Sequence, residues 1–295
     1  DRAIDIVNKA LDIYGAPVYV KHEVVHNKVV VEDLKSRGAI FVEEINEIPD
    51  DSLVIFSAHG VSSKVEEETK SRNLNFFDAT CPLVTKVHME VIKHAKAGRD
   101  IILIGHEGHP EVEGTMGRHI NNDNSSIYLV QTENDANSIK LNKKNELAVV
   151  TQTTLSVDET KSIISILRDR FPKIITPKKD DICYATQNRQ DAVKQLALES
   201  DFMIVVGSKN SSNSNRLKEL GENCGCKSVL IDEFDDLDLD VIKKFSRISI
   251  TAGASAPESK VMEIAQSLES FIGAEISEYG EDNEDIFFKL PPGLR

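Results

Sequence analysis

Short apolar runs alternate along the chain with segments in which apolar residues recur every three or four positions. The first such segment, from Ala3 to Tyr14, is followed by Gly15, a typical helix stop, and then by the apolar run PVYV. Later runs such as LVIFSA, DIILIG, LAVVT, FMIVVG and RISIT are typical of buried strands. Strands that alternate with helices of about ten to fifteen residues indicate right-handed βαβ units and parallel sheets. The sequence therefore predicts the α/β class.

Polar residues mark the predicted helix starts. Asn27 and Ser62 or Ser63 are good N-caps, Pro82 suits a first helical turn, and Ser156 with Glu159 has the spacing of a capping box. Two polar segments, HEGHPE and SKNSSNSN, follow predicted strands. We expect the first to be a turn and the second a loop.

Two parts of the chain repeat a pattern of chemistry-bearing residues. The residues that recur at spacings of 28 and 44 are Cys81, His109 and Thr153 in one part and Cys183, Ser211 and Ser255 in the other. Each is predicted to lie at the mouth of a strand, which is where parallel α/β sheets bind their ligands. Such internal repetition favours similar structural units.

A shorter third copy is predicted at the front of the chain, where it contributes His26 and His59. The cysteine of this copy is expected before residue 1. The repeats predict three similar small parallel-sheet domains in a pseudo-three-fold arrangement around a central cofactor site. Their predicted extents are residues 1–80, 81–182 and 183–280, followed by a tail at 281–295.

Composition and charge narrow the possible partners. The 295 residues are 40% hydrophobic and carry a net charge of -14, which argues against nucleic acid or an acidic membrane as the main partner. The chain has no apolar stretch of membrane-spanning length and no signal peptide at its start, so a cytoplasmic protein is expected. Its four cysteines do not form a disulfide framework and are expected to be free thiols, metal ligands or catalysts.

The repeated cysteines favour a soft metal centre. Thiolates brought together from separate domains suit zinc or an iron-sulfur cluster. His106, His109 and Glu111 in GHEGHPEVEG also have the composition of a zinc site, although their spacing is not a specific signature. The matching segment SKNSSNSN offers hydroxyls and an amide, which bind phosphate better than zinc, so the comparison favours a shared anion.

The predicted strand mouths are rich in hydrogen-bond donors that suit a diphosphate. These donors are His26, His59, His109, Thr153, Thr154, Ser211, Ser212, Asn213 and Ser255. Glu111 is the carboxylate of these segments that lies two residues from a donor histidine. A buried anion nearby would raise the pKa of Glu111 and make it a proton donor near neutral pH. Cys224 and Cys226 have no counterparts in the other copies and are interpreted as incidental thiols. The glycine-rich fingerprints of dinucleotide and P-loop sites do not occur.

Motifs along nearly the whole chain resemble one enzyme family. HEVVHN, FSAHGVS, DATCPLVTKVH, GHEGHPEVEGT, TQTTLS, DDICYATQNRQ, GSKNSSNSNRL and TAGASAPE are similar to those of the IspH/LytB family of 4-hydroxy-3-methylbut-2-enyl diphosphate reductases. The resemblance implies three α/β domains around a central [4Fe-4S] cluster. It also implies reduction of an allylic alcohol diphosphate to isopentenyl and dimethylallyl diphosphates, in the methylerythritol phosphate route to isoprenoids.

The resemblance assigns roles to individual residues. Cys81 and Cys183 would be two of three thiolate ligands, with the third expected upstream of residue 1. The diphosphate would be held by His26, His59, Ser211, Ser212, Asn213 and Ser255. A proton-delivery network would consist of His109, Glu111 and Thr153.

The electrons would come from a ferredoxin or flavodoxin. Because such donors are themselves acidic, docking to this acidic chain would need a local basic patch, and Lys178 and Lys179 are the candidates. The alternatives to the reductase are a zinc-dependent phosphohydrolase built on His106, His109, Glu111 and a cysteine, and a non-catalytic anion-binding module.

Overall fold

The structure is a computed structural model that describes residues 2–119, 124–141, 145–177, 180–280 and 286–294. Within these residues all strands belong to three separate sheets, and every strand pair is parallel. The predicted α/β class with three parallel-sheet domains is confirmed. No helix in the described ranges is long and apolar enough to cross a membrane.

The first sheet is formed by the front of the chain. Its elements in chain order are α1 (Arg2–Tyr14), β1 (Val18–Lys21), α2 (Lys28–Ser36), β2 (Ala39–Val42), β3 (Leu53–Phe56), α3 (Ser63–Ser71) and β4 (Asn75–Asp78), with strand order β2-β1-β3-β4. The amphipathic α1 buries its apolar face and packs against β1. The predicted caps are present, because Asn27 Oδ1 accepts from Val30 N–H and Ser62 Oγ from Val65 N–H.

The second sheet has the order β6-β5-β7. Its elements in chain order are α4 (Pro82–Lys96), β5 (Asp100–Ile104), α5 (Pro110–Met116), β6 (Ile127–Val130), α6 (Glu133–Ser138), β7 (Leu147–Thr151) and α7 (Val157–Arg170). Every residue of β5 and β7 is buried. Alternate residues of β5 pack into different core clusters, Ile102 and Ile104 into one and Ile101 and Leu103 into the other, so the sheet is covered on both faces.

The third sheet repeats this plan with the order β10-β8-β9. Its elements are α8 (Tyr184–Glu199), β8 (Phe202–Val206), α9 (Ser212–Asn223), β9 (Lys227–Ile231), the short α10 (Leu239–Ile242), β10 (Ile248–Ala252) and α11 (Glu258–Ile272). The central strand β8 is buried along its whole length. Gly273 ends α11 in the left-handed conformation, at φ 66°.

The described chain divides into two compact units. Unit 1 comprises residues 1–25, 33–183 and 288–295 and contains the first and second sheets, whereas unit 2 comprises residues 26–32 and 184–287 and contains the third. The predicted domain extents of 1–80, 81–182, 183–280 and 281–295 stay a prediction.

Two segments that the sequence predicted as a turn and a loop contain helix starts instead. His109 caps α5, its Nδ1 accepting from the N–H of Glu111 at 3.1 Å, and Ser211 caps α9, its Oγ accepting from the N–H of Ser214 at 3.2 Å. The polar residues that look like loop residues in HEGHPE and SKNSSNSN are thus caps and first-turn residues. Glu111 and Asn213 therefore lie on helices.

Candidate active site

Cys81 lies where β4 passes into α4, at the N-cap position of that helix. Its N–H donates to the carbonyl of Ala58 at 3.0 Å, which ties it to the end of β3. The thiol is half-buried, and burial raises its pKa, with smaller upward contributions from the charges of Cys183 and Glu111. Backbone N–H groups at the start of α4 act in the opposite direction. Cys183 and Glu111 therefore lie near enough for their charges to act on the Cys81 thiol.

Cys183 is also a half-buried thiol of unit 1. Its N–H donates to the carbonyl of Thr153 at 2.9 Å, so the backbone just beyond β7 fixes its position. The two cysteines that the repeat singled out are therefore brought together in one unit. Cys224 follows α9 and Cys226 directly precedes β9, at the opposite end of that strand from the carboxyl edge, in agreement with their interpretation as incidental.

Glu111 is buried in the first turn of α5, with 2% of its surface exposed. Its two carboxylate oxygens both accept from Thr153, Oε1 from the backbone N–H at 2.6 Å and Oε2 from the hydroxyl at 3.0 Å. Burial raises the pKa of Glu111 to about 7, against an ordinary value of 4.5. The charge of Asp181 adds a smaller upward contribution to this pKa, and the further rise expected from a bound anion stays a prediction. The carboxyl can hold a proton near neutral pH.

The hydrogen bond at the start of α5 fixes the tautomer of His109. Because Nδ1 accepts from the N–H of Glu111, the neutral ring carries its proton on Nε2 and offers that atom as a donor. The His59 ring lies edge-on to the His109 ring, with centroids 5.7 Å apart and planes at 88°. Two of the predicted donors are thus adjacent.

A close backbone approach holds the His59 loop against α5. A Cβ on Gly114 of α5 would lie 3.1 Å from the carbonyl oxygen of Gly60, and a Cβ on Gly60 would lie 2.6 Å from the His88 ring. Gly60 also has a φ of 78°, which side-chain-bearing residues rarely adopt. These two glycines allow the His59 and His109 rings to meet.

Gln152 was not among the predicted site residues, yet it links two of the predicted segments. Its Oε1 accepts from the N–H of His106 at 3.1 Å, and its Nε2 donates to the hydroxyl of Thr154 at 3.0 Å. It is buried. Its position in TQTT, beside Thr153, was the available signal.

In unit 2 the start of α9 lies over the carboxyl ends of β8 and β10. Gly207 and Gly253 follow these strands, and a Cβ on either would meet the hydroxyl of Ser214 at 2.3 and 2.2 Å. Asn213 is 5% exposed, and among the described residues neither its Oδ1 nor its Nδ2 has a hydrogen-bond partner. A buried amide of this kind next to a helix N-terminus is suited to an anionic ligand.

His26 belongs to unit 2 although it comes early in the chain. The hydroxyl of Ser255 donates to the His26 carbonyl at 3.2 Å, and the N–H of Lys28 donates to Ser208 Oγ at 2.9 Å. The Ser208 hydroxyl in turn donates to Asp232. Ser208 was missed because it looks like an ordinary residue at the end of a strand.

The predicted site residues thus fall into two groups, one in each unit. The unit 1 group is Cys81, Cys183, His59, His109, Glu111, Thr153 and Thr154, and the unit 2 group is His26, Ser211, Ser212, Asn213 and Ser255. Within the described ranges no cluster of three or more His, Cys, Asp or Glu side chains has a geometry that could hold a metal ion. The zinc site built on His106, His109 and Glu111 therefore has no geometric support.

Fold and site together define an α/β protein whose parallel strands end in paired thiols, a buried acid and a helix N-terminus rich in hydroxyls. The family model described as LytB protein matches residues 1–269, and the chain belongs to that family.

Curated relatives and solved structures agree with this assignment. A 4-hydroxy-3-methylbut-2-enyl diphosphate reductase of Alcanivorax borkumensis is 57% identical over 100% of this chain and 95% of its own length. One of Pseudomonas putida is 58% identical over 100% of this chain and 94% of its own. The solved E-1-hydroxy-2-methyl-but-2-enyl-4-diphosphate reductase of Plasmodium falciparum superposes with a TM-score of 0.93 at 38% identity, covering 99% of this chain and 92% of that one.

Proposed function

We propose that this chain reduces 4-hydroxy-3-methylbut-2-enyl diphosphate to isopentenyl and dimethylallyl diphosphates, the last step of the methylerythritol phosphate pathway. The substrate loses its hydroxyl group as water, and the reaction consumes two electrons and two protons. The observation that carries the proposal is the buried Glu111–Thr153 pair, whose Thr153 carbonyl also holds the backbone of Cys183. A proton source and the Cys183 thiol thus occupy the same strand end.

The thiols of Cys81 and Cys183 fit an iron-sulfur cluster by donor type and by closeness. Both are half-buried, and the charge of Cys183 acts on the pKa of Cys81. We assign them as two thiolate ligands of a [4Fe-4S] cluster. When bound, such a cluster supplies the electrons, and an iron without a protein ligand can act as a Lewis acid toward the substrate oxygen.

The diphosphate is assigned to the hydroxyls of Ser211, Ser212 and Ser255, the imidazoles of His26 and His59, and the amide of Asn213. In unit 2 the α9 N-terminus adds backbone N–H groups and a favourable dipole, so no lysine cluster is needed. The unpartnered buried amide of Asn213 supports this assignment.

Proton delivery is assigned to Glu111, Thr153 and His109. With a pKa of about 7, Glu111 is protonated in part of the molecules at neutral pH, and it shares a hydrogen bond with the Thr153 hydroxyl. Thr153 can relay this proton to the leaving oxygen. The Nε2–H of His109 offers a second proton donor. Thr154, which follows Thr153 in the chain, is assigned to substrate binding.

The electron donor is proposed to be a ferredoxin or a flavodoxin. The basic pair suggested for its docking, Lys178 and Lys179, lies outside the described residues. The cytoplasmic location expected from the sequence stays a prediction.

The direct test is an anaerobic assay of the chain extended upstream, with the allylic diphosphate and a chemical one-electron reductant. We expect the two isomeric diphosphates as products. Glu111→Gln should lower kcat at least 100-fold, whereas Glu113→Gln, an exposed position on the same helix, should leave it within twofold. Release of inorganic phosphate without reduction would favour the phosphohydrolase, and binding without turnover would favour the anion-binding module.

A further inference from the structure

Asp181 is a buried carboxylate two residues before Cys183, and none of its side-chain surface is exposed. Its Oδ1 accepts from Lys86 Nζ at 3.1 Å, and its Oδ2 accepts from the N–H of Thr151 at 3.2 Å. Lys86 Nζ also donates to the Asp180 carbonyl at 3.3 Å. All of these residues belong to unit 1.

The two ends of this ion pair lead directly to the two thiols. Lys86 lies in the second turn of α4, the helix that Cys81 caps, and Asp181 leads into Cys183. Thr151 ends β7, two residues before the Thr153 carbonyl that holds the Cys183 N–H. The ion pair therefore joins the helix that carries one thiol to the segment that carries the other.

A second buried aspartate, Asp100, lies at the opposite end of the same sheet and has neutral donors among the described residues. Asp100 is 2% exposed at the start of β5, and its Oδ1 accepts from the Ser126 N–H at 2.9 Å and the Asn145 amide at 3.0 Å. Both of these donors are neutral. Burying an ion pair is costly unless its geometry is well fixed. The presence of the Lys86–Asp181 pair at the thiol end of the sheet therefore favours a role in fixing the relative position of the two segments that it joins.

We propose that Lys86 and Asp181 are positioning residues that set the distance between the thiols of Cys81 and Cys183. The inference deepens the proposed function and rests on it in one respect, namely that the two thiols share a cluster. The spacing itself is a property of the polypeptide and is measurable without any cluster.

The first test uses the apoprotein of 295 residues with Cys224 and Cys226 replaced by serine, which leaves Cys81 and Cys183 as its only cysteines. A short bifunctional thiol reagent that fluoresces only when both of its ends react reports the spacing. We expect Lys86→Met and Asp181→Asn to lower the crosslinking yield at least fivefold, although both thiols still react. Lys86→Arg, which keeps the cation, should restore most of the yield.

Two matched variants separate positioning from general loosening of the fold. Lys93→Met removes an exposed lysine of the same helix that pairs with Glu90, and Asp100→Asn alters the buried aspartate at the other end of the sheet. Both should crosslink within twofold of the parent. Because Lys86 is 41% exposed, Lys86→Met is expected to fold. If Asp181→Asn does not fold, the result for Lys86→Met decides the test.

The second test asks whether the spacing serves a cluster. In the chain extended upstream, Lys86→Met should lose visible absorbance to an iron chelator at least five times faster than the parent, and Lys86→Arg should not. Parental crosslinking in both Lys86→Met and Asp181→Asn, or an equal loss in Asp100→Asn, would overturn the positioning role and leave the proposed function standing. Reduced crosslinking in a protein that binds no iron would keep the positioning role and overturn the cluster.

Discussion

Burial is energetically unfavourable for Glu111 and Asn213, the two polar side chains on which the proposed chemistry depends. Glu111 is held in a site where ionisation is costly, and the Asn213 amide has no hydrogen-bond partner among the described residues. Both positions would be more stable with other side chains. Local costs of this kind are expected at functional sites, where stability is given up for reactivity.

The raised pKa of Glu111 makes stability depend on pH in a defined direction. The folded-state value of about 7 lies above the ordinary 4.5, so the folded protein binds more protons between these values. The stabilisation of the folded state by this extra proton binding is complete below pH 4.5 and is lost as the pH rises through 7. Glu111→Gln is neutral at every pH. As the pH rises from 5 to 8, its free energy of unfolding should therefore increase by about 2–3 kcal/mol relative to that of the parent.

Denaturant unfolding of the apoprotein at both pH values measures this difference. Glutamine can keep both contacts, since its oxygen accepts from the Thr153 N–H and its amide donates to the Thr153 hydroxyl. Glu113→Gln, at an exposed position, serves as the control. A difference between Glu111→Gln and parent that stays constant with pH would show that Glu111 titrates normally.

Asn213→Ala is expected to separate stability from binding. Since the amide has no hydrogen-bond partner to lose within the described part of the chain, the free energy of unfolding of the apoprotein should stay within about 1 kcal/mol of the parent, whereas KM for the diphosphate should rise at least tenfold.

Asn215→Ala should behave in the opposite way. The Asn215 amide donates to the carbonyls of Lys209 and Ser211 at 2.7 and 2.8 Å, so its loss should cost about 1–2 kcal/mol. KM should change little. Unchanged KM in Asn213→Ala would remove this amide from the diphosphate site.

Residue type and position at the predicted strand mouths together predicted the thiols, the imidazoles and Glu111, because few other side chains suit such chemistry. Lys86, Asp181 and Gln152 were missed for a physical reason. Each acts through a hydrogen bond to a residue distant in the sequence, and no local pattern reports such a partner. The role of Asn213 was predicted, but its burial without a partner became visible only in the structure.

At the scale of elements, the strands and most helices follow from hydrophobic periodicity. The starts of α5 and α9 do not, because their first turns are polar and their caps resemble loop residues. This difference matters for function, since a side chain on a helix is held more rigidly than one on a loop. It places Glu111 and Asn213 on rigid supports.

Gly60 lies so close to the His88 ring that there is little room for a side chain at this position. Gly60→Ala should destabilise the protein by about 2–4 kcal/mol and raise KM, because the new methyl group meets His88 and displaces the neighbouring His59. Gly98→Ala is the matched control, with a similar φ of 70° but no atom of the described residues closer than 4.0 Å to the added Cβ. It should cost only about 1–2 kcal/mol. Equal costs, measured by denaturant unfolding, would show that backbone conformation alone requires glycine at position 60.

At the scale of the whole molecule, repeat spacing and strand alternation predicted three parallel sheets. They did not predict that residues 26–32 belong to unit 2, because that depends on hydrogen bonds such as Ser255 to His26 between distant parts of the chain. Family membership agrees with the three sheets. Because the net charge is -14, docking of the proposed acidic electron donor would require a local basic surface.

The central claim is that Cys81 and Cys183 hold an iron-sulfur cluster used for reduction. Iron and acid-labile sulfide per chain, measured after anaerobic purification of residues 1–295 and of a form extended upstream, test it most directly. We predict about four of each in the extended form, a strong deficit in the shorter form, and loss of both in Cys81→Ser or Cys183→Ser. Zinc in place of iron, or no metal in either form, would contradict the claim.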